Sequence, residues 1–174
     1  MLSLSPLYIR DHKGMDKYDE ILFEMGGCKV TYATPEHAEY IAKNMRAIDV
    51  LEAKCAGHTA HEAITLGFQY DDITLTGFDK NNNPACMMGS GVNMIPYIWL
   101  LGTDEINNNA YVFLKLSRKI AKFLIKPFGQ VTNFVHKDNL ASRRWLTFCK
   151  AEFLQEIEYN NQPFYEFKID YKNV

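Results

Sequence analysis

From residue 29 onward, short runs of β-branched and aromatic residues alternate with longer stretches in which apolar residues recur every three to four positions. Residues 29–33, Lys-Val-Thr-Tyr-Ala, predict a first strand. Thr34-Pro35 predicts a helix start, with a hydroxyl cap and proline at the first helical position. Ala38, Ile41, Ala42, Met45 and Ile48 then fall on one helical face. Gly57 closes that region, and Thr59-Ala60-His61-Glu62 has the form of a capping box opening a second, shorter helix through Ile64 and Leu66.

Alternation over 73–79 predicts a strand, 80–84 (Lys-Asn-Asn-Asn-Pro) a turn, and 85–92 the returning strand, loosened by Gly89 and Gly91. Residues 97–101 are continuously apolar, which predicts a strand buried on both faces. The clearest helix spans about 110–126. Phe113, Leu116, Ile120, Phe123 and Leu124 form its apolar face, opposite a stripe of Lys115, Arg118, Lys119, Lys122 and Lys126. Pro127 and Gly129 end it. A strand over 131–136 follows, then a helix capped by Asp138-Asn139, then two closing strands over 153–158 and 164–169. Residues 1–27 read as an N-terminal extension, within which 20–25 fits a strand or a short helix equally well.

The chain has 174 residues, 47% hydrophobic and 23% charged, which is ordinary globular usage and sets disorder aside. One domain over 28–174 is long enough to fold without metals or disulfides. The formal net charge of -2 argues against a nucleic-acid partner, because such binders carry a large basic excess. No apolar run approaches the ~18 residues of a membrane span. The N-terminus lacks the basic-then-apolar order of a secretory signal. Cys28, Cys55, Cys86 and Cys149 form no Cys-x-x-Cys pair and are expected to be reduced thiols in a cytosolic setting. His58 and His61, with Asp71-Asp72, match no metal-binding spacing, so no metal is expected.

The predicted order is strand, two helices, three strands, helix, strand, helix, two strands. It describes an α/β (α+β) domain with one mixed, mostly antiparallel sheet covered by about four helices. Three segments carry a resemblance within that order. They are 33–38 (Ala-Thr-Pro-Glu-His-Ala), 77–85 (Gly-Phe-Asp-Lys-Asn-Asn-Asn-Pro-Ala) and 135–142 (Val-His-Lys-Asp-Asn-Leu-Ala-Ser). Together they resemble the GNAT acyltransferase fold over about 29–169. A narrower resemblance rests on 96–105 (Pro-Tyr-Ile-Trp-Leu-Leu-Gly-Thr-Asp-Glu) with Asn139, Ser142 and 144–146 (Arg-Trp-Leu). That set is similar to the GNAT-like proteins of tailed phages related to internal virion protein A of T7-like podoviruses.

The broad resemblance implies acetyl-CoA as cofactor wherever the chain is active. It also implies a phosphate cradle after the fourth strand, a general base and a catalytic acid. Residues 103–110 stand where the cradle belongs, with no glycine after Gly102 and with Asp104 and Glu105, which repel a pyrophosphate. Asn107, Asn108 and Asn109 tolerate left-handed backbone and leave a partial nest. Glu105 and His136, at the ends of two strands, are the candidate bases. Leu100, Leu101, Gly102 and Asn139 are the candidate contacts of the pantetheine arm. Trp145-Leu146 stands where the family places its acidic tyrosine, and indole cannot protonate sulfur.

Three expectations follow. The first is a phage protein acting in virion assembly or inside the virion through contacts with phage or host proteins, with acetyl transfer lost or reduced. It implies the host cytoplasm, and the virion interior for a packaged copy. The second is an N-acetyltransferase acting on a host or phage protein amine. The third is a small adaptor that binds nucleic acid with its basic helix.

Overall fold

The computed structural model describes residues 18, 20–108 and 110–174. In chain order the strands are β1(Ile21–Met25), β2(Cys28–Tyr32), β3(Asp71–Phe78), β4(Pro84–Asn93), β5(Ile95–Gly102), β6(Gln130–His136), β7(Glu152–Tyr159) and β8(Gln162–Asp170). The helices are α1(Pro35–Lys43), α2(Ala47–Cys55), α3(Ala60–Tyr70), α4(Glu105–Asn108), α5(Ala110–Ile125) and α6(Leu140–Phe148). One sheet holds all eight strands in the order β1-β2-β3-β4-β5-β6-β8-β7. Every neighbouring pair is antiparallel except β5 and β6, which run parallel.

Helices cover both faces. α1 and α3 bury Ala38, Ile41 and Ile64 against Met87 of β4. α5 and α6 bury Leu116, Ile120, Leu124 and Leu146 against Met88, Ile98 and Val131 on the other side. Alternate side chains of β4 therefore serve two cores, and residues 85–91 are buried without interruption. The predicted caps are present. Thr34 Oγ1 accepts from the His37 amide while His37 Nδ1 accepts from the Thr34 amide, and Thr59 and Glu62 make the same reciprocal pair. All four cysteines are buried and free.

Four expectations change. The open segment 20–25 contains edge strand β1, paired with β2, so the sheet begins inside the stretch read as an extension. The helix through Ile48 divides. Asn44 caps α1, the Arg46 amide donates to Gly102 O at 2.9 Å, and Met45 bridges Thr103. That pull toward the end of β5 sets the axis of α2. Together with the short α4, this division makes six helices instead of about four. Finally, β4 is the strand buried on both faces, whereas β5 is mostly half-buried because it borders a cavity.

Candidate active site

A parallel pair normally bonds along its length. β5 and β6 share one registered pair, Tyr97↔Thr132. Just beyond it the side chain of Asn133 replaces the ladder, its Nδ2 donating to Ile98 O at 2.8 Å. Past that point the strands part. A cavity of about 770 Å³ passes through the gap. Ala53, Leu66, Trp99 and Leu101 line it on the α2–α3 side, and Leu100, Ser142, Trp145 and Leu146 on the α6 side.

The backbone facing the gap is fixed by alternation. Ile98 O accepts from Asn133 of β6 and the Gly102 amide donates to Asp49 of α2, both on the side away from β4, so Leu100 presents its N–H and C=O to that same side. Beyond Tyr97 no pairing with β6 reaches Leu100. One donor and one acceptor of β5 are thus open to an amide-bearing ligand.

The strand ends themselves are held by α2. Asp49, fully buried, accepts from Arg46 Nε at 2.9 Å and Nη2 at 2.8 Å, from the Gly102 amide at 2.8 Å and from Asn139 Nδ2 at 3.3 Å. One turn later, Glu52 Oε1 accepts from the His136 amide at 2.8 Å and from Asn139 Nδ2 at 3.0 Å. Asn139 Oδ1 caps α6 through the Ser142 amide at 3.2 Å. Asp49 therefore terminates β5 and Glu52 terminates β6, with Asn139 tying the two carboxylates together. Burial pushes both carboxyls upward, against the Arg46 charge for Asp49 and against the His136 amide for Glu52. Glu52 also lines the cavity, and its Oε2 accepts no bond from a described side chain or amide.

The sequence candidates are dispersed by this arrangement. Leu100 and Leu101 line the cavity. The Gly102 amide and the Asn139 side chain are already engaged by Asp49 and Glu52, so neither is free for a pantetheine arm. His136 is 2% exposed; its Nδ1 accepts from the Asp138 amide at 3.1 Å, and its Nε2 lies 3.1 Å from Gln162 Oε1. Both ring nitrogens are therefore engaged within the protein. Glu105 opens α4 and borders a separate small hollow with Cys28, Lys29 and Phe78. Asn107 and Asn108 are exposed on α4, and Asn109 lies outside the described residues. The basic stripe is partly occupied, with Lys115 over Tyr111 and Arg118 over Phe148 at 4.4 and 5.4 Å.

Residues that the sequence did not assign to the site hold the strand ends and line the cavity. Arg46, Asp49 and Glu52 look like surface charges at helical spacing. Asp71 lines the far end, accepting from Tyr97 Oη and Trp99 Nε1, each at 2.7 Å, and from Thr74 Oγ1 at 3.2 Å. Burial pushes its carboxyl up to about 6, although those three bonds favour the ionised form.

No family model and no curated sequence matches the chain. Solved structures do. A GNAT-family acetyltransferase from Bacillus anthracis superposes with a TM-score of 0.62 at 10% identity, over 83% of this chain and 95% of its own. The aminoglycoside acetyltransferase AAC(6')-Ib, in complex with ribostamycin and coenzyme A, gives 0.63 at 12% identity, over 84% and 94%. The chain has the GNAT acetyltransferase fold. A ribosomal-protein-S5-alanine acetyltransferase from Vibrio fischeri shares that fold, with a TM-score of 0.61 at 10% identity, over 87% and 97%. Of these neighbours, AAC(6')-Ib was solved with coenzyme A, and none of the three is described as a virion component. Among the described residues no helix of the GNAT fold is long and apolar enough to cross a membrane.

Proposed function

We propose that this protein is an acetyl-CoA-dependent N-acetyltransferase whose donor arm and acceptor amine meet in the gap between β5 and β6. The observation that carries this reading is the through-sheet cavity bordered by the unpaired backbone of Leu100. An amide-bearing pantetheine arm would pair with Leu100 N–H and C=O, extending the sheet where β6 has withdrawn. Glu52 stands at the same gap with a raised pKa and an open oxygen, which suits a base that receives the proton of an ammonium acceptor. The freed amine attacks the thioester carbonyl, a C–N bond forms and the C–S bond breaks. The second amine proton leaves with the thiolate to give coenzyme A as the thiol. A free-thiol release assay over a panel of amines tests this. Thiol release that requires both acetyl-CoA and an amine supports it, and absence of release with every amine sinks it.

A second reading has its own observations. The strand-end amides are capped by Asp49 and Glu52, and the segment after β5 is the acidic start of α4 instead of a glycine-rich cradle. Both suit a phage virion protein that keeps the fold for protein contacts without acetyl transfer. Mass spectrometry of purified virions tests it, and absence from particles together with normal particle yield would remove it.

A further inference from the structure

The proposed reaction leaves one proton without a carrier. An ordinary thiol has a pKa of about 8.5, so the departing sulfur takes up a proton at neutral pH. Glu52 is already spent on the first amine proton. The indole of Trp145 cannot protonate sulfur, and no lysine, arginine or histidine lines the cavity.

The hydroxyls of the lining are those of Tyr70, Tyr97, Thr132, Ser142 and Tyr159. Two of them are committed. Tyr97 Oη donates to Asp71 at 2.7 Å, and Thr132 Oγ1 donates to Phe167 O at 2.8 Å. Tyr70 and Tyr159 are 65% and 47% exposed, so bulk water surrounds their rings. Ser142 differs from all four. It lies on the α6 wall, and its Oγ accepts from Arg46 Nη2 at 3.5 Å while its own proton finds no acceptor among the described residues. That contact is long for a hydrogen bond, but it sets a full positive charge beside the hydroxyl. Arg46 is 6% exposed and held in direction by two bonds to Asp49. A buried cation at this distance favours the alkoxide that Ser142 becomes when its proton leaves.

Ser142 is also tied to the base. Asn139 Nδ2 donates to Glu52 Oε1 at 3.0 Å, and Asn139 Oδ1 accepts from the Ser142 amide at 3.2 Å. One asparagine therefore spaces the carboxylate and the hydroxyl across the same gap.

We infer that Ser142 is the catalytic residue that protonates the departing thiolate, with Arg46 positioned to stabilise its alkoxide. This rests on the acetyltransferase reading above. As the C–S bond breaks, its electron pair goes to sulfur and the Ser142 Oγ proton follows to form the thiol. Ser142 then takes the second proton of the attacking nitrogen, so the hydroxyl is restored and the amide is left neutral.

The test is thiol release from acetyl-CoA by the full chain, with the amine that the unaltered protein acetylates fastest. Ser142→Ala, Ser142→Thr and Tyr159→Phe are compared with it, and coenzyme A binding is titrated by calorimetry. Ser142→Ala is expected to lower kcat about 10²-fold or more, the scale of a lost general acid. Its dissociation constant for coenzyme A should stay within about 2-fold, since the variant removes no contact to the pantetheine arm. Ser142→Thr keeps a hydroxyl and should recover kcat to within about 10-fold, and Tyr159→Phe should leave it unchanged. A kcat that survives Ser142→Ala, a loss that threonine does not repair, or a loss matched by weakened coenzyme A binding would each overturn the inference. So would a loss in Tyr159→Phe with none in Ser142→Ala, which would move the role to the tyrosine. Each of those results leaves the acetyltransferase reading standing, whereas no release by the unaltered protein with any amine removes both.

Discussion

Asp71→Asn is expected to make the protein more stable at neutral pH, although it removes three well-formed bonds to a carboxylate. In the folded chain the carboxyl is raised from 3.8 to about 6, chiefly by burial. A carboxylate raised on folding contributes stability that is complete below its unfolded pKa and is lost as pH rises through the folded one. The loss is about 3 kcal/mol by pH 7.5, at about 1.4 kcal/mol per pH unit, and about 1.6 kcal/mol at pH 5. Asparagine escapes it because it carries no charge. Its carbonyl keeps the bonds from Trp99 Nε1 and Thr74 Oγ1, and its amide can donate to Tyr97 Oη, since a phenol both donates and accepts. Urea denaturation of both proteins at pH 7.5 and pH 5 measures this. The expected gain is about 2–3 kcal/mol at the higher pH, shrinking to about half at the lower. A variant less stable than the parent at both pH values, with no pH dependence in the difference, would refute the reasoning. The hydrogen bonds, and not the desolvation of the charge, would then dominate at Asp71.

Other changes separate the roles within the site. Glu52→Gln keeps an acceptor for the His136 amide and Asn139, so the fold should hold while acetyl transfer falls by about 10²–10⁴; an unchanged kcat would deny Glu52 the role of base. Arg46→Ala leaves the fully buried Asp49 without its charge partner and should cost about 3–5 kcal/mol in urea denaturation. Trp145→Phe deletes a buried donor that has no partner in the protein, so stability should stay within about 1 kcal/mol.

What was legible in the sequence was local. Thr34-Pro35 and the Thr59–Glu62 pair announced their helices because a cap is made within four residues. The face Leu116, Ile120 and Leu124 announced α5 because one side of that helix meets the sheet. The break between α1 and α2 was invisible, since its cause is a partner 58 positions away, the bridge from Met45 to Thr103. The site was hidden for the same reason. Arg46 and Asp49 have the spacing of a solvated helix pair, and only the end of β5 and the start of α6 bury them. Gly89 and Gly91 suggested a loosened strand, whereas the missing side chains make room for Asp71 and Tyr97 in the most buried strand of the sheet. His136 looked like a base because its ring nitrogens suit the task. The turn into α6 and the Gln162 side chain occupy both of them.

The most direct test of the account is a crystal structure of the protein with coenzyme A. The pantetheine arm is expected between β5 and β6, with one of its amides paired to Leu100 N–H and C=O and its thiol end at Glu52. Coenzyme A bound elsewhere, or a gap closed around Glu52 and Asn139 with no ligand at saturating concentration, would contradict it.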